Sequence, residues 1–196
     1  NLPAETLVAW REVLERGGPR ARLRLGEALL QCGKREGEAF LKPLAEAEDP
    51  RIALLACGHL AYYLAEIMLE RRLPEARGYL ERGLALLDRV DPELAGRFLN
   101  DVARVPFEEG KPEEALALLE EALKRLPQDS PFRLAPLVNL AFLRFELHGD
   151  LLGRIQITEE SLPLYLRHMP WNLPGHLRVL GRLYLLLGKR AEAERY

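Results

Sequence analysis

The sequence predicts an all-α protein, a solenoid of paired antiparallel helices, and three observations carry this prediction. Leu, Ala, Glu and Arg dominate the 196 residues, and these residue types favour helices. Residues typical of strands are sparse, and threonine occurs only at Thr6 and Thr158. Glycine-centred segments return at a fixed spacing, and an apolar ladder of helical period precedes each of them.

The repeat is most visible at four glycine-centred segments. They read GKREGEA, GKPEEA, GDLLGR and GKRAEA, and they start at Gly33, Gly110, Gly149 and Gly188. The last three glycines are separated by 39 residues each. One more step of 39 back from Gly110 reaches Arg71, and a step of 38 from there reaches Gly33. The spacing therefore defines five units, one of which carries Arg where the others carry Gly.

Each of these positions ends an apolar ladder on a first helix, A, and is followed by a second helix, B. The ladder offsets of 0, 3, 4 and 7 place its residues on one helix face. In the last unit the ladder comprises Leu177, Leu180, Gly181 and Tyr184, and in the third unit Leu99, Val102, Ala103 and Pro106. Helix B of the third unit carries Ala115, Leu116, Leu119, Ala122 and Leu123, before Pro127.

This pattern resembles the tetratricopeptide (TPR) repeat, with Leu–Leu–Gly–Tyr–Gly on helix A and Ala–large–Ala–Pro on helix B. Residues 177–193 and 99–127 carry the resemblance best, and it covers nearly the whole chain. It implies a right-handed superhelical solenoid. The usual repeat has about 34 residues, whereas the spacing here is 39. This longer period resembles the sensor domains of MalT-like bacterial transcription regulators.

Capping residues before proline mark the starts of the A helices in units two to four, at Asp49, Asp91 and Ser130. We expect one TPR-like domain over 1–196, cut from a longer protein. Helix B of a truncated repeat is expected at 3–16, followed by repeats at about 19–49, 50–90, 91–129, 130–170 and 173–196, the last one incomplete. Three internal prolines are expected to kink their helices, namely Pro106, Pro136 and Pro163.

Composition excludes several classes of partner. The net charge of -2 and the pI near 6.2 argue against nucleic-acid binding by this segment. The sequence contains no run of 18 apolar residues, so it predicts no membrane span. Cys32 and Cys57 are expected to be buried free thiols in a reducing compartment, which favours the cytoplasm. Arginine outnumbers lysine, a bias that we interpret as that of a GC-rich genome such as a thermophilic bacterium's.

The sequence offers no catalytic constellation, so we expect neither an enzyme nor a bound cofactor or metal. A nucleophile needs a base close by, but Ser130 is interpreted as a helix cap and Ser161 as a mid-helix residue. No P-loop or GxSxG motif occurs. Four histidines show no metal-ligand spacing and are interpreted as helix-end or surface residues: His59, His148, His168 and His176.

The resemblance implies that the A helices line a concave groove, whose N-terminal half is expected to be small and apolar, with Ala61, Ala65, Met68 and Leu69. Arginine forks beside amides suit a carboxylate, a phosphate or a peptide backbone. The candidate binding residues are Arg97, Asn100, Arg104, Phe107, Asn139, Glu146, Arg178 and Arg182, with Phe98 at the groove edge. The carboxylate clamp of chaperone-binding relatives is not reproduced, because the groove has no lysine. Alternatively, these arginines are ordinary surface, paired with Glu108 and Glu146.

Two functions remain open at this point. The first is a sensor segment of a bacterial transcription regulator, whose groove binds a protein, a peptide or a small-molecule effector. The second is a general protein-interaction scaffold or a self-associating, homo-oligomeric module without a transcriptional role. The flanking sequence of the gene discriminates between them, since an adjoining P-loop or helix-turn-helix domain would indicate the regulator.

Overall fold

The computed structural model describes the backbone of residues 4–67 and 71–196 and the side chains of 17–66 and 71–196. These residues form twelve α-helices, joined by short turns and 3-10 turns, and no strand occurs among them. The helices are α1 (Ala4–Gln31), α2 (Glu36–Leu41), α3 (Pro50–Tyr62), α4 (Leu73–Leu84), α5 (Pro92–Val102), α6 (Arg104–Glu108), α7 (Pro112–Arg125), α8 (Leu134–His148), α9 (Leu151–Glu160), α10 (Leu162–His168), α11 (Leu173–Leu186) and α12 (Arg190–Ala193). The all-α solenoid predicted from the sequence is confirmed.

The helices pack as successive pairs, each made of an A helix and the B helix that follows it. The A helices are the second part of α1, then α3, α5 with α6, α8 and α11; the B helices are α2, α4, α7, α9 with α10, and α12. Gly18, with φ 61° and ψ -156°, separates α1 into two helical segments just before Pro19. The predicted helix B of a truncated repeat falls on the first segment, and the side chains on which that prediction rests lie outside those described: Thr6, Leu7, Trp10, Val13 and Leu14.

The four glycines that define the repeat end A helices in the left-handed conformation. Their φ angles are 69° at Gly33, 76° at Gly110, 65° at Gly149 and 77° at Gly188. The amide that follows three of them donates back across the turn, as from Lys111 N to the Pro106 carbonyl at 2.8 Å. This is the Schellman ending of a helix, and only glycine adopts it without steric strain.

The second unit has no glycine at this position, and its A helix ends differently. A π-helical turn over Tyr63–Ile67 follows α3, and the Arg72 amide donates to the Leu64 carbonyl at 3.0 Å. No residue other than glycine has a positive φ among those described. A widened turn thus replaces the left-handed glycine where arginine occupies the anchor position.

The predicted caps are in place at the starts of three A-helix segments. Asp49 accepts a hydrogen bond from the Arg51 amide and Asp91 one from the Leu94 amide, both at 2.9 Å. Ser130 accepts one from the Phe132 amide at 3.3 Å. Each side chain satisfies an amide that the first helical turn leaves unpaired.

Two of the three internal prolines interrupt their helices, and the third does not. The helix breaks at Ala103 before Pro106 and at Ser161 before Pro163, as expected from the hydrogen bonds that these prolines remove. The kink expected at Pro136 is wrong, because α8 runs from Leu134 to His148 without a break. Pro136 lies in the first turn of α8, where its missing N–H would have had no partner within the helix.

The core is continuous through the first three units, and Phe98 is one of its tightest contacts. The Phe98 ring is 3% exposed and packs between Gly58 and Gly83. A Cβ placed on Gly83 would lie 2.0 Å from the ring's Cζ. The placement of Phe98 at the groove edge is therefore wrong, because the two glycines open a space in the core that the ring fills. None of the described helices is both long and apolar enough to cross a membrane.

Candidate binding groove

One cleft brings together four of the eight predicted binding residues. Asn100, Arg104, Phe107 and Asn139 line a space of about 300 Å³ between the A helices of units two, three and four. Four further side chains that the sequence analysis did not assign to binding also line it: Tyr62, Glu66, Asp101 and Phe142. We call this space the central cleft. The cleft forms because the repeat places equivalent faces of α3, α5 and α8 side by side.

Two asparagines one repeat apart join directly across the central cleft. The Asn139 Nδ2 donates to the Asn100 Oδ1 at 3.1 Å, and the Asn100 Nδ2 donates to an Asp101 carboxylate oxygen at 3.2 Å. A side-chain amide offers two N–H donors and a carbonyl with two lone pairs. Side-chain N–H groups of the pair and the side-chain carbonyl of Asn139 therefore have no hydrogen-bond partner among the described residues.

Arg104 stands beside this amide pair and is already partly neutralised. Its Nη2 lies 2.6 Å from a Glu108 carboxylate oxygen, and its guanidinium lies 5.1 Å from the centre of the Phe107 ring. Its Nε is 3.6 Å from a Glu66 oxygen, too far for a hydrogen bond, and this buried atom has no other acceptor among the described residues. The Arg104 Nε is therefore a buried donor without a hydrogen-bond acceptor among the described residues. Pairing with Glu108 was the alternative interpretation of this arginine, and the structure contains that ion pair.

Two side chains that line the cleft, those of Tyr62 and Asp101, have raised pKa values. Burial, and then a hydrogen bond with Glu66, raise the pKa of Tyr62 to about 12, so its phenol keeps its proton. Solvent reaches the Asp101 carboxylate, but protein atoms of the concave face surround it, and this crowding raises its pKa to about 6. The Asn100 hydrogen bond opposes that rise. The wall beside the amide pair thus carries a carboxylate whose charge changes just below neutral pH.

The other four predicted residues do not line the central cleft. The guanidinium of Arg97 lies 4.1 Å from the centre of the Phe132 ring. Glu146, Arg178 and Arg182 are exposed on α8 and α11. Their roles in binding stay predictions.

The expectation of a small, apolar N-terminal groove is wrong for the residues described. Ala61 and Ala65 are fully buried, because α3 packs against α1, α4 and α5, and the π-helical turn after it packs against α1, α4 and α6. Tyr62 and Glu66 line the groove in their place. Met68 and Leu69, also assigned to the groove, lie outside the residues whose side chains are described.

A second, larger cleft of about 570 Å³ lies between α8, α9 and α11, and we call it the junction cleft. Val138, Phe142, Val179 and Trp171 line it, and each of these side chains is more than a third exposed. Trp171, in the turn before α11, is 71% exposed. An apolar surface of this kind in a globular protein often marks a contact site.

A buried polar cluster closes the floor of the junction cleft. His176 Nε2 lies 2.6 Å from Ser161 Oγ and 3.0 Å from the Thr158 carbonyl, and the His176 ring stacks on Tyr165 with centroids 4.1 Å apart. The surface assignment of His176 is therefore wrong. His59 lies in the last turn of α3, as the helix-end interpretation predicted, with its side chain 19% exposed. Ser161 lies in the break between α9 and α10 instead of within a helix. Burial lowers the pKa of His176.

This serine–histidine contact does not have the features of a nucleophilic site. Ser161 Oγ donates its hydrogen to the Thr158 carbonyl at 2.6 Å and is 1% exposed. No described carboxylate hydrogen-bonds to the His176 ring to orient it as a base. The cluster is best explained as a satisfied polar packing contact between units four and five.

The two cysteines differ, contrary to the expectation that both are buried. Cys57 is buried in α3, where burial raises the pKa of its thiol to about 11. Cys32 is exposed in the turn that follows the first A helix. The described residues contain no group of three or more side chains suited to hold a metal ion.

The helix pairs and the concave clefts define the class of structure: the chain has the fold of TPR-like repeat proteins. No protein-family model and no curated protein sequence matches it. Among solved structures, it is similar to a putative kinesin light chain with nearly identical TPR-like repeats from Podosopora anserina. That match has a TM-score of 0.66 and 22% identity, over 90% of each chain. It is also similar to BtubC (BKLC) from P. vanneervenii, with a TM-score of 0.73 and 19% identity, over 98% of this chain and 84% of that one.

Proposed function

We propose that this chain is a protein-interaction module that binds an extended segment of a partner protein in the central cleft. The observation that carries the proposal is the hydrogen-bonded amide pair of Asn100 and Asn139, one repeat apart on the concave face. An extended peptide presents alternating N–H and C=O groups along its edge. Side-chain amides match both kinds of group, whatever the peptide's side chains are.

The surroundings of the pair support a peptide rather than a compact ligand. The residues that line the central cleft come from the A helices of three successive units, α3, α5 with α6, and α8, so an extended chain laid in it would contact more than one unit. Phe107 and Phe142 contribute apolar surface to the cleft, and the Arg104 side chain lines it with a positive charge. The cleft therefore combines backbone recognition with contacts that select side chains.

The test begins with selection of random linear peptides on the wild-type protein, followed by measurement of their affinity by fluorescence anisotropy. Asn139→Ala is expected to weaken the selected peptides about tenfold, because it removes hydrogen bonds to a desolvated backbone. Gln156→Ala is the matched control, since Gln156 is an exposed amide on α9 bonded only to Glu160. N-methylation of single peptide amides should reproduce the loss at one or two positions. Equal affinity of the selected peptides for Asn139→Ala and wild-type protein would refute the proposal.

The more specific role, a sensor segment of a bacterial transcription regulator, is supported only by the 39-residue period of the repeat. The titles of the similar structures name a putative kinesin light chain and BtubC, and neither names a transcription regulator. The sequence of the complete gene tests this role directly. A P-loop or helix-turn-helix domain beside the repeats would support it, and further repeats alone would favour a general scaffold.

A further inference from the structure

We propose that the junction cleft between α8 and α11 binds a small organic anion with a flat apolar body, such as an aromatic carboxylate. The junction cleft shares Asn139 and Phe142 with the central cleft, but the proposal does not depend on peptide binding there. The volume of about 570 Å³ lies within the range of roughly 300–1,000 Å³ typical of small-molecule sites.

The walls of the junction cleft are apolar and accessible. Val138 and Phe142 stand one turn apart on α8, and Val179 faces them from α11. Their exposed fractions are 41%, 44% and 38%, so the cleft leaves apolar surface in contact with water. Trp171 lies at the mouth and offers a large flat face. A planar ring that enters between these side chains would remove all four from water.

Gly175 provides an independent observation in the α11 wall. It lies in the first turn of α11 without a positive φ, and a Cβ built on it meets no atom within 4 Å. Neither packing nor backbone conformation therefore requires glycine, although glycine costs a helix about 1 kcal/mol relative to alanine. The absent side chain leaves open space inside the cleft. A ligand in the cleft can therefore approach the helix backbone closely at Gly175.

Arg154 supplies the charge that selects an anion. It lines the cleft from α9, and its guanidinium lies 5.6 Å from the centre of the Phe142 ring and 4.8 Å from that of Phe145. No carboxylate of the described residues forms an ion pair with it, whereas Arg72 and Arg77 each contact two glutamates. A half-buried guanidinium held over aromatic rings without a counter-ion is a ready partner for a carboxylate.

The floor of the cleft is already rigid. His176, Ser161 and the Thr158 carbonyl satisfy one another, so a ligand need not pair with any of them. Asn139 and Asn172 remain at the rim as neutral polar groups. The site thus has fixed polar groups below, apolar walls at the sides and one unpaired cation, which suits an aromatic body with a single acidic group.

The experiment compares the binding of 2-naphthoate with that of its uncharged amide, using isothermal titration calorimetry on the full chain. Naphthoate is expected to bind at millimolar concentration or below, and the amide about tenfold more weakly or worse because it lacks the charge-assisted contact. Arg154→Met should remove this preference for the acid. Arg167→Met is the matched control, since Arg167 is exposed on α10 and does not line the junction cleft.

A second variant distinguishes loss of binding from loss of folding. Gly175→Leu places a side chain in the open space, starting from a Cβ that meets no atom within 4 Å, and replaces a glycine in a helix, so it should bind neither compound while unfolding at no lower temperature than wild type. Asn100→Ala should leave naphthoate binding unchanged even where it weakens peptides, which separates the two proposals. The inference is overturned if naphthoate does not bind saturably, if the amide binds equally well, or if Gly175→Leu binds naphthoate like wild type.

Discussion

Two glycines on helix α4 should respond in opposite directions to the same substitution. A Cβ on Gly83 would lie 2.0 Å from Phe98 Cζ and 2.4 Å from its Cε2. The ring has no room to retreat, since it is 3% exposed and Gly58 touches its other side. Overpacking of this kind costs about 1–3 kcal/mol, against a helix-propensity gain of about 1 kcal/mol. Gly83→Ala should therefore destabilise the chain by about 1–2 kcal/mol, because so rigid a contact places it near the upper cost.

Gly78→Ala is the matched change on the same helix, because nothing lies within 4 Å of its built Cβ. It should stabilise the protein by about 0.5–1 kcal/mol through helix propensity alone. Urea unfolding followed by circular dichroism measures both variants. Phe98→Leu should relieve part of the Gly83→Ala penalty in the double variant. The packing argument is refuted if Gly83→Ala proves as stable as Gly78→Ala.

Three further predictions follow from the turns, the thiols and the buried histidine. Gly110→Ala should cost about 1–2 kcal/mol in urea unfolding, because φ is 76° there; an unchanged free energy would contradict the Schellman ending. Cys32 should react with a thiol reagent at once and Cys57 only on unfolding, because Cys57 is buried and its thiol pKa is raised to about 11; two equally fast thiols would show otherwise. Burial holds the pKa of His176 below its ordinary 6.5, so the unfolded chain takes up a proton that the folded chain does not. Relative to His176→Gln, the wild type should lose up to about 1.4 kcal/mol per pH unit as pH falls below 6.5, and parallel pH profiles would contradict this.

Much of the fold was predictable because it depends on local rules. The glycines at 39-residue steps require a left-handed backbone, so Gly110, Gly149 and Gly188 mark helix ends directly in the sequence. Asp49 and Asp91 likewise act within their own helical turn. The end of the A helix in the second unit could not be predicted from a glycine, because a π-helical turn with the hydrogen bond from the Arg72 amide to the Leu64 carbonyl ends it instead.

The groove was less predictable, because exposure is set by neighbouring helices rather than by position on one helix. Ala61 follows the same offset as Asn100 and Asn139 but is fully buried, since neighbouring helices, above all α4 and α5, pack around α3. Asn100 and Asn139 were assigned from their equivalent positions, and the structure joins them at 3.1 Å. The buried contact of His176 with Ser161 gave no sequence signal, because it joins residues across a helix break that only the packed structure brings together.

The central claim is that the amide pair of Asn100 and Asn139 holds the backbone of an extended partner segment. Its most direct test is a titration of the ¹⁵N-labelled 22.3 kDa chain with a selected peptide, observing the side-chain amide signals by NMR. The account predicts that the Asn100 and Asn139 side-chain signals shift and saturate together with binding, while that of Gln156 stays in place. Saturable binding that leaves both asparagine signals unmoved would contradict it.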